Sequence, residues 1–261
     1  MSPGLVPRSA APRYVVIGAG GLGCPALLGL LAAGVERITI VDDDVVEASN
    51  LQRQVLFSLA DVGRPKVAVA AWALRERSRV DRPLEITAIR ERLVPARVDA
   101  WIAALSRDSI VLECSDDPEL KFAVHDACLG QGLPVVVGGV IGFRGQVMAV
   151  DPHQPDRACF RCLFEAPPPR ELAPACATVG VLGAVAGLLG QWMALLALRL
   201  ASNSNANAAE DERAAGTLIA VDMLGGELRR IAPAPRPGCS ACARAASFRA
   251  SSARNLDESP T

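Results

Sequence analysis

Four cysteines stand in two Cys-x-x-Cys pairs, Cys159/Cys162 and Cys239/Cys242. Zinc takes four thiolates tetrahedrally, and two such knuckles are the usual way to present them. The pairs are 77 positions apart, from Cys162 to Cys239, so tertiary structure must close the site. A redox pair is the rival chemistry of that spacing. Of the other four cysteines, Cys24, Cys114 and Cys128 fall in apolar stretches and read as core fillers. Cys176 stands apart, just ahead of Gly180-Val-Leu-Gly183. A thiol before a helix N-terminus has a lowered pKa and more thiolate, which makes Cys176 a candidate nucleophile.

The cations are as uneven as the thiols. Among 27 basic residues only two are lysines, Lys66 and Lys121. Lys66 ends Gly63-Arg-Pro-Lys66 at a predicted helix start, where acids are normally favoured, so a phosphate-facing role is indicated. Lys121 follows Glu113-Cys-Ser-Asp-Asp117 at the end of a predicted buried strand. Strand C-termini are where open α/β sheets bind ligands, and Asp116 and Asp117 there suit Mg²⁺, which binds through one or two carboxylates plus phosphates. Between these lies Asp42 to Gln54, a loop of acids and amides in which Asn50, Arg53 and Gln54 share one-turn spacing. Gly18-x-Gly20-x-x-Gly23 has the form of a phosphate-holding turn, whose backbone N–H groups a close-approaching anion can use. Asp42, nineteen residues beyond Gly23, is placed for a ribose hydroxyl. The turn and Asp42 alone also fit NAD; the charged loop after Asp42 does not resemble a dehydrogenase.

These residues need a scaffold that brings strand ends together. Tyr14–Ile17, the glycine turn, a helix over about Cys24–Ala33 and the strand Arg37–Asp42 form one βαβ unit. A helix is predicted over Val67–Arg79, a strand over Leu84–Ile89 and a short helix over Val98–Leu105. The strand Ser109–Cys114, the helix Glu119–Leu129 and strands Val135–Val137 and Gln146–Val150 follow, with Gly138, Gly139 and Gly145 read as turn markers. Thr217–Asp222 and Glu227–Ile231 read as a final hairpin. The alternation predicts an α/β fold: a Rossmann-like, doubly wound, mostly parallel sheet with a C-terminal antiparallel extension and the Cys₄ site. One domain over residues 14–242 is expected, with flexible tails at 1–13 and 243–261.

Val179–Leu198 is long and apolar enough to cross a membrane, but a helix buried on all sides has the same composition. A soluble fold upstream and the lack of a clear basic flank favour burial. The charge balance of 27 basic against 28 acidic residues leaves no nucleic-acid footprint, and 51% hydrophobic residues exclude a disordered chain. Met1 to Arg13 is polar and Pro-rich without a leader-like apolar core, so a cytoplasmic location is expected, with metal rather than disulfides at the paired cysteines. His125 and His153 have no evident partners.

GAGGLGCPAL, VDDDVVEASNLQRQ, GRPK, ECSDD, CFRC, CATVGVLG and the final CSAC occur in an order that resembles the ThiF/MoeB/HesA family, bacterial relatives of ubiquitin-activating enzymes. The resemblance runs from about Tyr14 to Cys242. It implies ATP-dependent adenylation of the C-terminal glycine of a ubiquitin-like sulfur carrier such as ThiS or MoaD, a homodimer and a structural zinc on Cys159, Cys162, Cys239 and Cys242. It further implies Gly18, Gly20, Gly21 and Gly23 under the nucleotide, Asp42 at the ribose, Asn50, Arg53, Gln54 and Lys66 around the phosphates, and Asp116 at Mg²⁺. Cys176 would link covalently to the carrier or handle sulfur, as in several relatives, or be dispensable, as in others.

The chain departs from the family in two places. Only 13 residues precede the first strand, so the usual N-terminal arm, with an Arg that reaches the partner's ATP, is expected to be shortened or missing, with Arg8 or Arg13 as the candidates to stand in. Glu113, Asp117 and Lys121 occupy positions where the family usually has Asp, Asn and Arg. Two other readings therefore stay open, a nucleotide-binding partner that has lost catalysis and an NAD-dependent oxidoreductase.

Overall fold

The computed structural model describes residues 11–78, 83–169, 180–202 and 214–257. Eight strands form one sheet in the order β3-β2-β1-β4-β5-β6-β7-β8. These are β1 (Arg13–Ile17), β2 (Arg37–Val41), β3 (Glu85–Ile89), β4 (Ser109–Glu113), β5 (Val135–Ile141), β6 (Arg144–Val150), β7 (Leu218–Asp222) and β8 (Glu227–Ile231). β3, β2, β1, β4 and β5 run parallel; β6, β7 and β8 add on antiparallel, as expected. The α-helices among the described residues are α1 (Gly23–Ala32), α2 (Lys66–Arg77), α3 (Pro95–Ala103), α4 (Pro118–Gln131), α5 (Phe160–Leu163), α6 (Gly183–Ser202) and α7 (Ser240–Asp257).

The central strands are buried on both faces, which is why they read as unbroken Val/Ile runs rather than as alternation. Tyr14, Val16, Ile38, Ile40, Ile110 and Leu112 face α1, α2 and α6. Val15, Ile17, Val41, Val111, Val135 and Val137 face α3, α4 and α7. The strand order reverses direction between β1 and β4, leaving a crevice at their C-terminal ends.

Three glycines taken as turn markers lie instead within strands: Gly138 and Gly139 in β5, Gly145 in β6. The turn of this hairpin is Gly142-Phe143. A Cβ on Gly138 would stand 2.3 Å from Met193 Sδ, and one on Gly145 2.2 Å from Leu189 Cδ1. Those glycines let α6 lie close on the sheet. α6 passes the length and hydropathy test for a membrane span, yet Val185, Ala186, Leu189, Gly190, Met193, Ala194 and Ala197 are buried along one helical stripe. Its crossing with α1 is tight: a Cβ on Gly190 would lie 2.4 Å from Leu22 O, and one on Gly29 2.6 Å from Gln191 Oε1. α6 is a core helix packed on the sheet.

The tail expected from residue 243 is a helix as far as Asp257, α7. Its Ala/Ser/Arg composition has no apolar periodicity to announce it, and tertiary contacts hold it. Ala241 and Ala245 are buried against α4. The Phe248 ring sits over Gly132, whose Cβ position would be 2.0 Å from Cε1, and the Arg107 guanidinium lies 5.4 Å from the ring centroid. Arg249 donates to Pro152 O. Residues 1–10, the start of the tail expected at the N-terminus, lie outside the described residues.

Candidate nucleotide site and cysteine cluster

A cavity of about 280 Å³ opens at the crevice between β1 and β4. Gly18, Gly20, Gly21, Asp42, Asn50, Arg53, Gln54, Lys66 and Asp116 all line it. Every residue expected around a nucleotide, Gly23 excepted, is thus brought to one place. Gly23 acts beneath the turn, where any side chain would strike Gly18 O at 1.9 Å. Gly18 has φ +92°, and a Cβ there would lie 3.0 Å from Ser115 N and 3.0 Å from Cys114 C, so only glycine lets the turn pack on the end of β4. The two walls of the crevice touch through that glycine.

Asp42 ends β2 and holds the turn. Its Oδ2 accepts from Ala19 N–H at 2.7 Å and its Oδ1 from Asp44 N–H at 2.8 Å. Burial pushes its carboxyl up from the ordinary carboxylate range, opposed by Lys66 and those two N–H groups. Lys66 opens α2 and is itself buried, with Nζ 2.8 Å from Asp44 Oδ2. Arg53 Nη2 donates to Asn50 Oδ1 at 2.6 Å, and Asn50 Nδ2 to Glu47 Oε2 at 3.1 Å. Asn50 therefore aims Arg53. Gln54 is buried, and its Oε1 has no hydrogen-bond partner among the described residues. An orphaned acceptor in a cavity wall is a group awaiting a ligand or water.

The acidic strand end divides its work. Asp117 caps α4, accepting from Glu119 N–H at 2.9 Å and Leu120 N–H at 3.2 Å, and so is taken up structurally. Asp116 is exposed on the cavity wall, and no hydrogen bond to its carboxylate is found among the described residues. A free carboxylate beside a phosphate-shaped site fits a divalent cation. Glu91, Arg92 and Leu93 also line the cavity, which the sequence did not reveal. They follow the C-terminal end of β3, and that position was the available signal. Arg13 sits at the opposite end of β1 from this cavity, bound to Glu85 at 2.6 Å. Arg8 and Cys176 lie outside the described residues.

The four paired cysteines meet. Their sulfurs are separated by 3.7 Å (Cys159–Cys162), 3.6 Å (Cys159–Cys239), 3.6 Å (Cys162–Cys242) and 3.5 Å (Cys159–Cys242). A tetrahedron with zinc–sulfur bonds of about 2.3 Å has edges of about 3.8 Å, whereas a disulfide needs about 2.05 Å. Hydrogen bonding to Cys242, then burial, pushes the Cys159 thiol far above its ordinary range, and burial raises Cys162. Hydrogen bonding to Cys159 instead lowers the Cys242 thiol to about 5, and four thiolates this close repel one another unless a cation lies among them. The donor set fits zinc.

His125 supports this cluster. It is fully buried, its Nε2 faces Phe160 N–H at 3.3 Å, and its Nδ1 lies 2.9 Å from Asp126 Oδ1. Asp126 in turn pairs with Arg161, inside the Cys159–Cys162 knuckle, at 2.7 Å. Both partners are 35 positions away from their contacts, which hid them from the sequence. His153 faces Gly132 O at 3.1 Å and has a structural place. Cys24, Cys114 and Cys128 are buried, and burial raises all three thiols, Cys24 to about 12. They fill the core.

Comparison with known proteins agrees with this geometry. The adenylyltransferase and sulfurtransferase MOCS3 of Bos taurus is 41% identical over 236 residues, covering 90% of this chain and 49% of that protein. The chain thus spans about half the length of the curated relatives it matches at this level. The sulfur carrier protein ThiS adenylyltransferase of Escherichia coli K12 is 35% identical over 230 residues, covering 88% of this chain and 85% of that protein. A Thermus thermophilus sulfur carrier protein adenylyltransferase is 37% identical over 242 residues, covering 90% and 83%. In fold, the crystal structure of E. coli MccB with ATP matches with a TM-score of 0.72 at 19% identity, over 89% of this chain and 67% of that one. The ThiF family profile matches residues 8–241, from ahead of β1 into the second cysteine pair. With the glycine turn, the Asn50–Gln54 loop and three of the four clustered cysteines within that span, the chain belongs to the ThiF family.

Proposed function

We propose that this protein adenylates the C-terminal glycine carboxylate of a ubiquitin-like sulfur carrier. The observation that carries the reading is one cavity holding backbone N–H donors, Asp42, the cations Arg53 and Lys66 and the free carboxylate of Asp116. A glycine carboxylate is ionised at neutral pH, so its attack on the α-phosphorus of ATP needs no general base. One carboxylate oxygen forms the new P–O bond as the bond to the β-phosphate oxygen breaks, giving acyl-adenylate and pyrophosphate. Positioning and cancellation of phosphate charge are what the site must supply. Arg53 and Lys66 provide it, with Asp42 holding the ribose and Gly18, Gly20 and Gly21 admitting the phosphates. Mg²⁺, held by Asp116, would add charge neutralisation across the phosphate oxygens.

An apolar groove of about 650 Å³ is lined by Gly138, Gly139, Phe160 and Phe164, and by Pro118 and Lys121, the residues next in the chain to Asp117 and Leu120 of the cavity wall. It offers the carrier's extended tail a path to the nucleotide. Cys176 belongs to a later step: its thiolate attacks the acyl-adenylate carbonyl, AMP leaves, and a thioester to the carrier remains. Zinc on Cys159, Cys162, Cys239 and Cys242 is structural. Leu188 and Leu195, exposed one heptad apart on α6, support a homodimer, which sedimentation would test. A reducing cytoplasm suits the thiolates and the ATP supply.

Carrier-dependent ATP–pyrophosphate exchange tests the whole reading. Exchange with a Gly-Gly-ending ThiS- or MoaD-like protein, lost in Asp116→Ala and kept in Cys176→Ala, is expected. Tight ATP binding without exchange for any such carrier would favour the catalytically inactive partner, and nicotinamide binding the dehydrogenase.

A further inference from the structure

Glu113 is fully buried at the end of β4, yet the adenylation chemistry gives it no task. Its Oε1 accepts from the Ser115 N–H at 3.1 Å and from the Ser115 hydroxyl. Its Oε2 takes the Lys121 ammonium at 2.6 Å, and that ammonium also donates to Ser115 O. Ser115 is thereby held at its N–H, its hydroxyl and its carbonyl. It is also the wall residue of the nucleotide cavity that abuts Gly18 and immediately precedes Asp116. On the other side of the same wall, Lys121 lines the apolar groove.

We propose that Glu113 and Lys121 form a clamp on Ser115 that sets the position of Asp116 and of the glycine turn, and that both are positioning residues for the nucleotide. This rests on the adenylation reading for its consequence in turnover, but its first consequence, in nucleotide affinity, stands without it.

The choice of lysine follows from the geometry. The chain writes 25 of its 27 cations as arginine, so a lysine here runs against its own usage. A guanidinium fork pairs best with both oxygens of a carboxylate. Glu113 has only Oε2 to offer, because Ser115 occupies Oε1. One oxygen and one carbonyl in different directions suit the three divergent donors of an ammonium. An arginine at 121 has to take Oε1 from Ser115 and release the wall.

The test uses the full chain with four variants: Lys121→Arg, Glu113→Asp, the pair Glu113→Asp/Lys121→Arg, and the neutral pair Glu113→Gln/Lys121→Met. The neutral pair leaves no lone buried ion, so it keeps the fold where a single charge deletion would not. MgATP affinity is measured by calorimetry, KM and kcat by pyrophosphate exchange, and folding by thermal melting. Lys121→Arg and the neutral pair are expected to lose about 10–100-fold in MgATP affinity, the range for outer-shell partners, with the loss in KM exceeding that in kcat and melting near wild type. The Asp/Arg pair, which restores the shorter carboxylate with the longer cation, is expected to recover to within about threefold. Wild-type affinity in either Lys121→Arg or the neutral pair overturns the clamp. So does failure of the Asp/Arg pair to exceed both of its single variants. If the wild type binds MgATP but no carrier supports exchange, the adenylation reading falls while calorimetry still decides on the clamp.

Discussion

Arg53→Ala separates catalysis from folding most sharply. The guanidinium donates to Asn50 Oδ1 at 2.6 Å, and its stem runs past Gly21, where a Cβ would lie 3.3 Å from Cδ. In the proposed reaction it would therefore meet the phosphates already oriented, without reorganisation. Removing one preorganised donor of this kind costs about 10²–10³ in rate, or about 2.7–4 kcal/mol. The fold loses far less: Arg53 is only half-buried, and Asn50, on a surface turn, regains water. A stability change under about 1 kcal/mol is expected, which for a domain of this size shifts melting by less than about 4 °C. The assay is exchange of labelled pyrophosphate into ATP with a purified Gly-Gly-ending carrier, alongside a thermal melt of the same preparation. Arg53→Lys should not rescue, since an ammonium lacks the planar fork that Asn50 and a phosphate share. Asn50→Ala should fall between the two. Exchange within about threefold of wild type in Arg53→Ala, with melting unchanged, would refute the role, because no effect of the size argued from a preorganised donor would then be present.

Other expectations concern the scaffold. Cys239→Ser should lower bound zinc from one per chain to substoichiometric on elemental analysis, and chelation of the wild type should lower its melting temperature without altering Cys239→Ser further. His125→Ala frees the Phe160 N–H beside Cys159 and should weaken zinc retention against a competing chelator by about 10–100-fold; an unchanged competition curve would sever the link to the knuckle. Phe248→Ala removes the ring covering Gly132 and should cost about 1.5 kcal/mol in urea denaturation. Gly138→Val forces a side chain against Met193 and should destabilise by about 1–3 kcal/mol, visible in the same experiment; a neutral result would mean that α6 packs less closely than described.

What was legible in the sequence was local. The βαβ unit, the glycine turn and the Asp42–Gln54 loop are each specified by residues a few positions apart, and all reach the cavity. Contacts across the sheet were not legible. Gly138 and Gly145 carry the letters of a turn, but their cause is α6, some fifty positions later in the chain for each. α7 has no apolar period because it buries alanines and one phenylalanine against α4, a surface that local sequence does not display. Asp117 shows the converse limit. Its type suits a metal, yet the start of α4 claims both its hydrogen bonds, and only the backbone geometry distinguishes it from Asp116.

The pairing of β1 with β4, Arg13 against Ser109, has a consequence for the order of synthesis. At about 5–20 residues per second, β1 waits on the order of 5–20 s for its central neighbour to leave the ribosome. Until then its inner edge is an unpaired row of N–H and C=O groups, the kind of edge that recruits other chains. The nascent glycine turn meanwhile has no opposite wall, since Ser115 supplies it. On the proposed reading a nucleotide would bind only chains in which the sheet has closed, and binding the native state alone adds stability by mass action. On the proposed adenylation reading, ATP would serve this protein as a folding ligand as well as a substrate, drawing newly made chains out of the interval in which β1 is exposed.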